Sequence, residues 1–277
     1  MRAACVIGWP VAHSRSPLIH GYWIEQHKLA ADYRREAIEP GEVAAFLANL
    51  AARGYVGCNV TLPHKEAALA ASEPDDRARA VGAANTLWLD GGRLLSTNTD
   101  VEGFTNNLDA AVPGWDRRPG EAVVLGAGGS ARAVVHGLIE RGFDRIHVVN
   151  RTLDRAQALR ERFGAAVQPA GWSALPQRLV RAGLLVNTTL LGMTGQARLE
   201  IDLAPLPQQA VVADLVYAPL ETELLARARD RGLATADGLG MLLHQAVRGF
   251  SLWFGVEPEV TPALRALIEA DLVRPKE

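Results

Sequence analysis

The run Val123-Val124-Leu125-Gly126-Ala127-Gly128-Gly129-Ser130-Ala131 constrains the chain more than any other. An apolar, β-prone segment enters a glycine turn, and a helix of small residues leaves it. The spacing is G-x-G-x-x-A, a variant of the dinucleotide fingerprint. Gly126 makes the tight turn, and Gly128 lets the backbone approach a pyrophosphate. Ala131 is small enough for the helix to pack closely on the strand. Ala127, Gly129 and Ser130 complete a loop whose free N–H groups and helix dipole favour an anion. The competing reading is a glycine turn in an ordinary α/β protein.

The next strand ends at Asn150-Arg151-Thr152, about twenty residues on, where an NAD site carries Asp or Glu for the ribose 2′-hydroxyl. This chain has Arg151 there instead, with Arg155 one helical turn later and Thr152 as a further donor. Two guanidinium groups suit a 2′-phosphate, which favours NADP over NAD. The alternative is a solvated arginine pair. Arginine at a helix start is disfavoured by the dipole unless an anion is near.

Around this unit, short β-like runs alternate with helical ones, as in a doubly wound parallel sheet. In the first half, residues 3–7, 33–38 and 56–60 read as strands. Residues 17–28, with Ser16 as N-cap, and 40–53 read as helices. Asp90-Gly91-Gly92 reads as the turn of a hairpin. Residues 100–111 read as a helix, and 113–120, rich in Pro, Gly and charge, as a linker. The pattern then restarts, with strands at 121–125, 145–150, 184–187 and 211–216 and helices at 131–141, 153–163 and 224–231. Helices over 238–254 and from Thr261-Pro262 onward close the chain.

The chain has 277 residues, enough for two α/β domains. Its 29 basic and 31 acidic residues leave a net charge of −2, with no basic excess for a nucleic acid. Two cysteines, Cys5 and Cys58, exclude a disulfide framework and a cysteine-built zinc site. They sit in apolar runs and are expected to be buried thiols. The histidines form no H-x-x-x-H pair, so no metal is expected. No apolar stretch reaches the roughly 18 residues of a membrane span. The N-terminal apolar run is too short for a signal peptide, so a cytoplasmic protein is expected.

Polar residues cluster at element ends in the first half. Lys65 follows Asn59-Val60-Thr61-Leu62-Pro63-His64 where a strand hands over to a helix. A lysine there is either a proton-transfer group or a surface residue on a frayed helix. Asp100, behind Ser96-Thr97-Asn98-Thr99, is either its partner or a dipole-friendly first-turn residue. Asn85-Thr86 and Ser14 with Ser16 add amides and hydroxyls. Such groups at strand ends converge on one crevice, and around a Lys and an Asp they suit a small polyhydroxylated substrate.

These residues resemble the shikimate dehydrogenase family. The resemblance rests on Gly8-Trp9-Pro10, His13-Ser14-Arg15-Ser16-Pro17, Asn59-Val60-Thr61, Pro63-His64-Lys65 and Gly82-Ala83-Ala84-Asn85-Thr86. It continues through Asn98-Thr99-Asp100, the glycine loop, Asn150-Arg151-Thr152, Asn187-Thr188-Thr189, Gly192-Met193, Asp214-Leu215-Val216-Tyr217 and Gly238-Leu239-Gly240-Met241. Gly21 stands after His20, where many members have Asn; the Ser-x-Ser-Pro element is intact. The resemblance implies two α/β domains: a substrate domain of residues 1–101, completed by C-terminal helices in 239–277, and a Rossmann-type NADP domain of 102–238. It implies NADPH-dependent reduction of 3-dehydroshikimate to shikimate by a monomer or homodimer. Lys65 and Asp100 would be the catalytic pair. Ser14, Ser16, Asn59, Thr61, Asn85, Tyr217 and Gln245 would surround the substrate. Thr188, Met193, Leu215, Gly238 and Met241 would line the adenosine and nicotinamide path. Two alternatives remain at this level: a sibling that prefers quinate and NAD, and a noncatalytic ligand sensor on the same fold. A sensor could discard Lys65 or Asp100; both are present.

Overall fold

Two six-stranded sheets carry the chain in a computed structural model that describes residues 2–117 and 120–273. The elements begin with β1 (Arg2–Gly8), α1 (Ser16–Gln26), β2 (Ala31–Ala37), α2 (Val43–Ala48), β3 (Tyr55–Val60) and α3 (Lys65–Ala70). They continue with β4 (Glu73–Pro74), α4 (Asp76–Val81), β5 (Thr86–Asp90), β6 (Arg93–Thr97), α5 (Asp100–Ala111), β7 (Glu121–Leu125) and α6 (Gly129–Glu140). Next come β8 (Ile146–Val149), α7 (Leu153–Phe163), β9 (Val167–Ala170), α8 (Leu175–Leu179), β10 (Ala182–Asn187) and β11 (Val211–Asp214). The last are α9 (Glu223–Asp230), β12 (Ala234–Ala236), α10 (Gly238–Phe254) and α11 (Pro262–Val273). Met1–Thr99 with Gln245–Glu277 form one compact unit, and Asp100–His244 form the other.

The first unit holds the sheet β2-β1-β3-β5-β6-β4. β1 is parallel to β2 and β3, while β5 runs antiparallel to β3 and β6. The β5–β6 hairpin turns at Gly91 and Gly92, both at positive φ, as a two-residue turn of this hand requires. Cys5 and Cys58 are register neighbours on β1 and β3, both buried and both free thiols. The C-terminal segment packs on this unit. The Trp253 indole N–H donates to the Leu87 carbonyl at 2.8 Å, and Trp23 Nε1 donates to the Glu259 carbonyl at 3.0 Å. Arg15 pairs with Asp271 at 3.0 Å.

The second unit holds the parallel sheet β12-β11-β10-β7-β8-β9. The chain builds β7, β8 and β9 outward in one direction, then β10, β11 and β12 in the other. That is the doubly wound order with its switch point between β7 and β10. Both faces are covered: Val124 and Val186 pack with Phe104, Leu108, Val134 and Leu138. Leu125, Leu185 and Val212 pack with Leu175, Leu179 and Leu225 on the opposite side. Burial on both faces explains why these strands read as unbroken apolar runs.

Three expectations are corrected. The 113–120 segment is not a linker; the boundary between the units falls between Thr99 and Asp100. Val112 and Trp115 are buried in the second unit, where Trp115 stacks on Phe143 at 5.8 Å and donates to Asp109 at 2.9 Å. Two apolar anchors outweigh the Pro, Gly and charge around them; Arg118 and Pro119 of that segment lie outside the described residues. The 40–53 helix is a 3-10 turn, Pro40–Glu42, followed by the short α2. Asn49 folds its side-chain amide back on the Ala45 carbonyl at 2.9 Å, and Gly54, at φ +84°, redirects the chain into β3. Ser16 is not the cap of α1 but its first residue; Arg15 takes the cap position, and Ser14 Oγ accepts the Ser16 N–H at 3.3 Å. Three short strands, β4, β9 and β12, add to the expected pattern; unlike the equally short β8 and β11 they are not runs of large apolar residues, and β9 carries Gln168 and Pro169.

Candidate active site

In the first unit, polar residues gather where β3 ends, β5 begins and β6 ends. Register sets Asn59 beside Thr86 and Thr86 beside Thr97. Asn59 is buried, and its side chain is bound on both sides. Oδ1 accepts from the Tyr33 hydroxyl at 2.6 Å, while Nδ2 donates to Thr86 Oγ1 at 3.1 Å and the Asn85 carbonyl at 3.3 Å. Asn85 Oδ1 accepts the Thr99 N–H at 2.7 Å and the Thr99 hydroxyl at 3.2 Å. A satisfied buried network of this kind fixes the orientation of each amide.

Lys65 opens α3 and is half-buried; its carbonyl accepts the Ala84 N–H at 2.9 Å, which ties it to the strand of Asn85. His64 before it is buried, with Nε2 2.7 Å from the Ile38 carbonyl, and so anchors the turn. Thr61 donates its N–H to Ile7 at 2.9 Å, and its methyl fills the space that a side chain on Gly8 would need. The Arg35 guanidinium donates to the Ser14 carbonyl at 2.7 Å, and Ser16 is buried at the start of α1. Gln245 is half-buried in α10. Within this unit, Asn59 and Asn85 are directly bonded and Lys65 adjoins them through Ala84.

Sequence reasoning missed Tyr33, which holds the Asn59 amide from β2. A tyrosine in a strand reads as core, and no local motif marks it. His20 stacks on Tyr33 at 4.1 Å and is fully buried. Burial pushes its pKa down to about 3, and the nearby Asn59 amide offsets only part of that.

In the second unit, the glycine loop lies at the switch point between β7 and β10. Gly126 sits at φ +103°, and a Cβ there would lie 2.8 Å from Thr188 Oγ1. The Thr188 N–H and hydroxyl both donate to the Leu125 carbonyl, at 2.9 and 2.7 Å. Gly128 is the cap residue of α6, with no side chain bonding the helix start. Gly128, Gly129 and Ser130 are exposed, Ala127 is half-buried, and a Cβ on Gly128 or Gly129 would meet nothing among the described residues. Ala131 is fully buried against the sheet. Open N–H groups at this helix start fit the anionic part of a dinucleotide.

Asn150 turns its amide to the Thr152 carbonyl at 2.7 Å. Arg151, Thr152 and Arg155 are exposed, and neither guanidinium has a partner among the described residues. Gly238 lies against the Leu215 and Val216 backbone so closely that any side chain would collide with it. Leu215 and Met241 pack on the same core cluster. Met193 and Tyr217 stand on two loops joined by the Thr194 N–H to the Ala218 carbonyl, at 2.8 Å. Buried Asp214 holds these loops: it accepts from Thr222 at 2.7 Å, Asn187 at 2.9 Å and the Val216 N–H at 3.0 Å. Burial nevertheless raises its carboxyl above the ordinary range. Asp100 is the first residue of α5 and is buried. Among the described residues, no group of three or more His, Cys, Asp or Glu is placed to hold a metal ion.

Three family descriptions match the chain. "Shikimate dehydrogenase substrate binding domain" covers residues 6–87, "Shikimate / quinate 5-dehydrogenase" 116–193, and "Shikimate 5'-dehydrogenase C-terminal domain" 238–268. A "Shikimate dehydrogenase (NADP(+))" of Nitrobacter hamburgensis is 68% identical over 98% of this chain and 95% of its own length. One of the same description from Rhodopseudomonas palustris is 66% identical over 98% and 97%. Among solved structures, shikimate 5-dehydrogenase from Thermus thermophilus in complex with NADP(H) and shikimate is 36% identical. Its TM-score is 0.85 over 99% of this chain and 100% of that one. Quinate dehydrogenase from Corynebacterium glutamicum in complex with NAD is 31% identical, with a TM-score of 0.89 over 97% and 98%.

Proposed function

The chain belongs to the shikimate dehydrogenase family, and on that premise we propose how its own residues carry out the oxidoreduction. The enzyme uses NADP and interconverts 3-dehydroshikimate and shikimate. The observation that carries the cofactor assignment is the uncapped, exposed start of α6 together with two guanidinium groups that have no partner among the described residues. Gly126 to Ala131 hold the pyrophosphate. Asn150, Arg151, Thr152 and Arg155 hold the 2′-phosphate. Thr188, Met193, Leu215, Gly238 and Met241 line the path of the adenosine and nicotinamide. NADPH, when bound, supplies the hydride for the ring carbonyl carbon.

Lys65 serves the carbonyl oxygen, giving it a proton or steadying its negative charge as it develops. Asp100 keeps Lys65 cationic. Ser14 and Ser16 bind the substrate carboxylate, and Asn59, Thr61, Asn85, Tyr217 and Gln245 bind its hydroxyls. Tyr33 holds the Asn59 oxygen, so the amide meets substrate in one orientation. The compact units Met1–Thr99 with Gln245–Glu277 and Asp100–His244 serve as the substrate and NADP domains, in place of the 1–101 with 239–277 and 102–238 that the resemblance implies. No helix among the described residues is long and apolar enough to cross a membrane. The enzyme works in the cytoplasm as a monomer or homodimer.

The test is turnover at saturating substrate. Lys65→Ala should lower kcat by about 10²–10⁴-fold with little change in KM, because a positioned acid acts mostly in the transition state. Asp100→Asn should also lose turnover, since it keeps the hydrogen bonding and removes the charge. Near-native kcat in Lys65→Ala contradicts the role given to the lysine.

A further inference from the structure

The second unit has another polar cavity, at the opposite edge of its sheet from the glycine loop. Glu121 opens β7, and the loop begins after Leu125, roughly 13 Å further along the strand at 3.3 Å per residue. The cavity measures about 340 Å³, and Glu121, Arg145, His147, Gln168, Arg178 and Arg181 face it, with Gln177 at its side. Topology brings these together. His147 is the register partner of both Val123 and Gln168, and the Glu121 N–H donates to the Arg181 carbonyl at 2.9 Å.

Its charges do not balance. Three arginines stand against one carboxylate, and that carboxylate is already engaged. Glu121 Oε1 accepts from Arg145 at 2.8 Å, and Oε2 lies 2.5 Å from His147 Nε2. Burial alone would raise the Glu121 carboxyl, but those two partners hold it below its ordinary range. Arg178 and Arg181 then have no counter-charge, and neither side chain has a partner among the described residues. Arg178 Nε and His147 Nδ1 are buried without a hydrogen bond, and His147 is only 4% exposed. Gln168 already donates to the Ala165 carbonyl at 2.8 Å, while the Gln177 amide has no partner among the described residues. Arg178 Nε–H is a buried donor, and buried donors are normally satisfied, so this exception calls for an acceptor that the described residues do not supply.

We propose that this cavity is a second anion site, which takes a small phosphomonoester dianion. Two uncompensated guanidinium groups match the charge of such a group near neutral pH, and their forked donors match its oxygens. The volume exceeds the need of a bare ion and lies at the lower end of the range for small-molecule sites, which leaves room for the ester's carbon part beside Gln177. The assignment does not depend on the roles proposed for Lys65 and Asp100.

The test is calorimetric titration of the NADP-saturated protein with inorganic phosphate and with glycerol 3-phosphate, at constant ionic strength. Saturation with NADP keeps both probes away from Arg151 and Arg155. We expect one saturable site per chain. Arg178→Gln combined with Arg181→Gln should raise both dissociation constants by at least about tenfold and leave that of NADP unchanged. Arg181 is exposed, so Arg181→Gln alone is the second variant and should weaken both probes several-fold with an unchanged Tm. Heats no larger than those of sodium chloride at the same ionic strength would overturn the site. So would binding that survives the double substitution. Saturable phosphate binding without glycerol 3-phosphate binding would overturn the phosphomonoester assignment.

Discussion

Arg151 is a residue whose role follows from its neighbours. It stands just past the end of β8, exposed, with its guanidinium unpartnered among the described residues and that of Arg155 a helical turn away. Two like charges near a helix start repel each other unless an anion sits between them. Arg151→Ala should therefore raise the KM for NADP and leave the kinetics with NAD nearly unchanged. Steady-state rates with both cofactors on both proteins check this; equal losses for the two would make Arg151 a structural residue. The position of this residue was legible because the fingerprint is local: a strand, a glycine turn and a fixed interval lead to the stretch just after β8. Tyr33 was not legible, because its partner Asn59 is on another strand and only the β2-β1-β3 order explains the bond. Ser16 was misplaced by one position because Ser-Pro is a strong start signal; the structure puts both residues inside α1.

At the scale of elements, the strand–turn–helix from β7 to α6 separates two uses of glycine. Gly126 has φ +103° and touches the Thr188 loop, so its lack of a side chain serves the protein. Gly128 is at φ −94°, and a Cβ there would meet nothing among the described residues, so the constraint expected there is a ligand's. Gly126→Ala should destabilise by about 1–3 kcal/mol through backbone strain and contact with Thr188. Gly128→Ala should leave stability nearly unchanged and weaken NADP binding. Thermal melts without cofactor, beside NADP titrations, measure both. A stable Gly126→Ala, or a Gly128→Ala that binds NADP normally, contradicts the division. The sequence pattern located α5, β7, α7 and α10 to the residue, because each has clear periodicity or sharp end signals. It overlooked β4, β9 and β12, whose pairing comes from the neighbouring strand rather than from their own residues.

At the scale of the molecule, buried polar groups tie stability to pH. His20 is neutral in the folded state, its pKa lowered by burial from 6.5 to about 3. The unfolded chain takes up that proton below about pH 6.5, so the unfolded state binds more protons and stability falls as pH drops from there towards 3. Burial lowers His244 as well, against the pull of Asp109, and acts in the same sense. His20→Phe keeps an aromatic ring among Tyr33, Trp23 and Phe250 and removes the titration. Between pH 6 and 4 the folding equilibrium of the native chain should fall faster than that of His20→Phe, by up to about tenfold per pH unit. Parallel denaturation curves would contradict this. The two-sheet plan was visible in the alternation of strands and helices; the unit boundary at Thr99 leaves no linker signal in the composition, because α5 follows β6 with only two residues between them. The most direct measurement is the initial rate at the nicotinamide absorbance band with shikimate or quinate and with NADP or NAD. The account predicts the highest kcat/KM for shikimate with NADP; a preference for quinate and NAD, or no turnover in any combination, would contradict it.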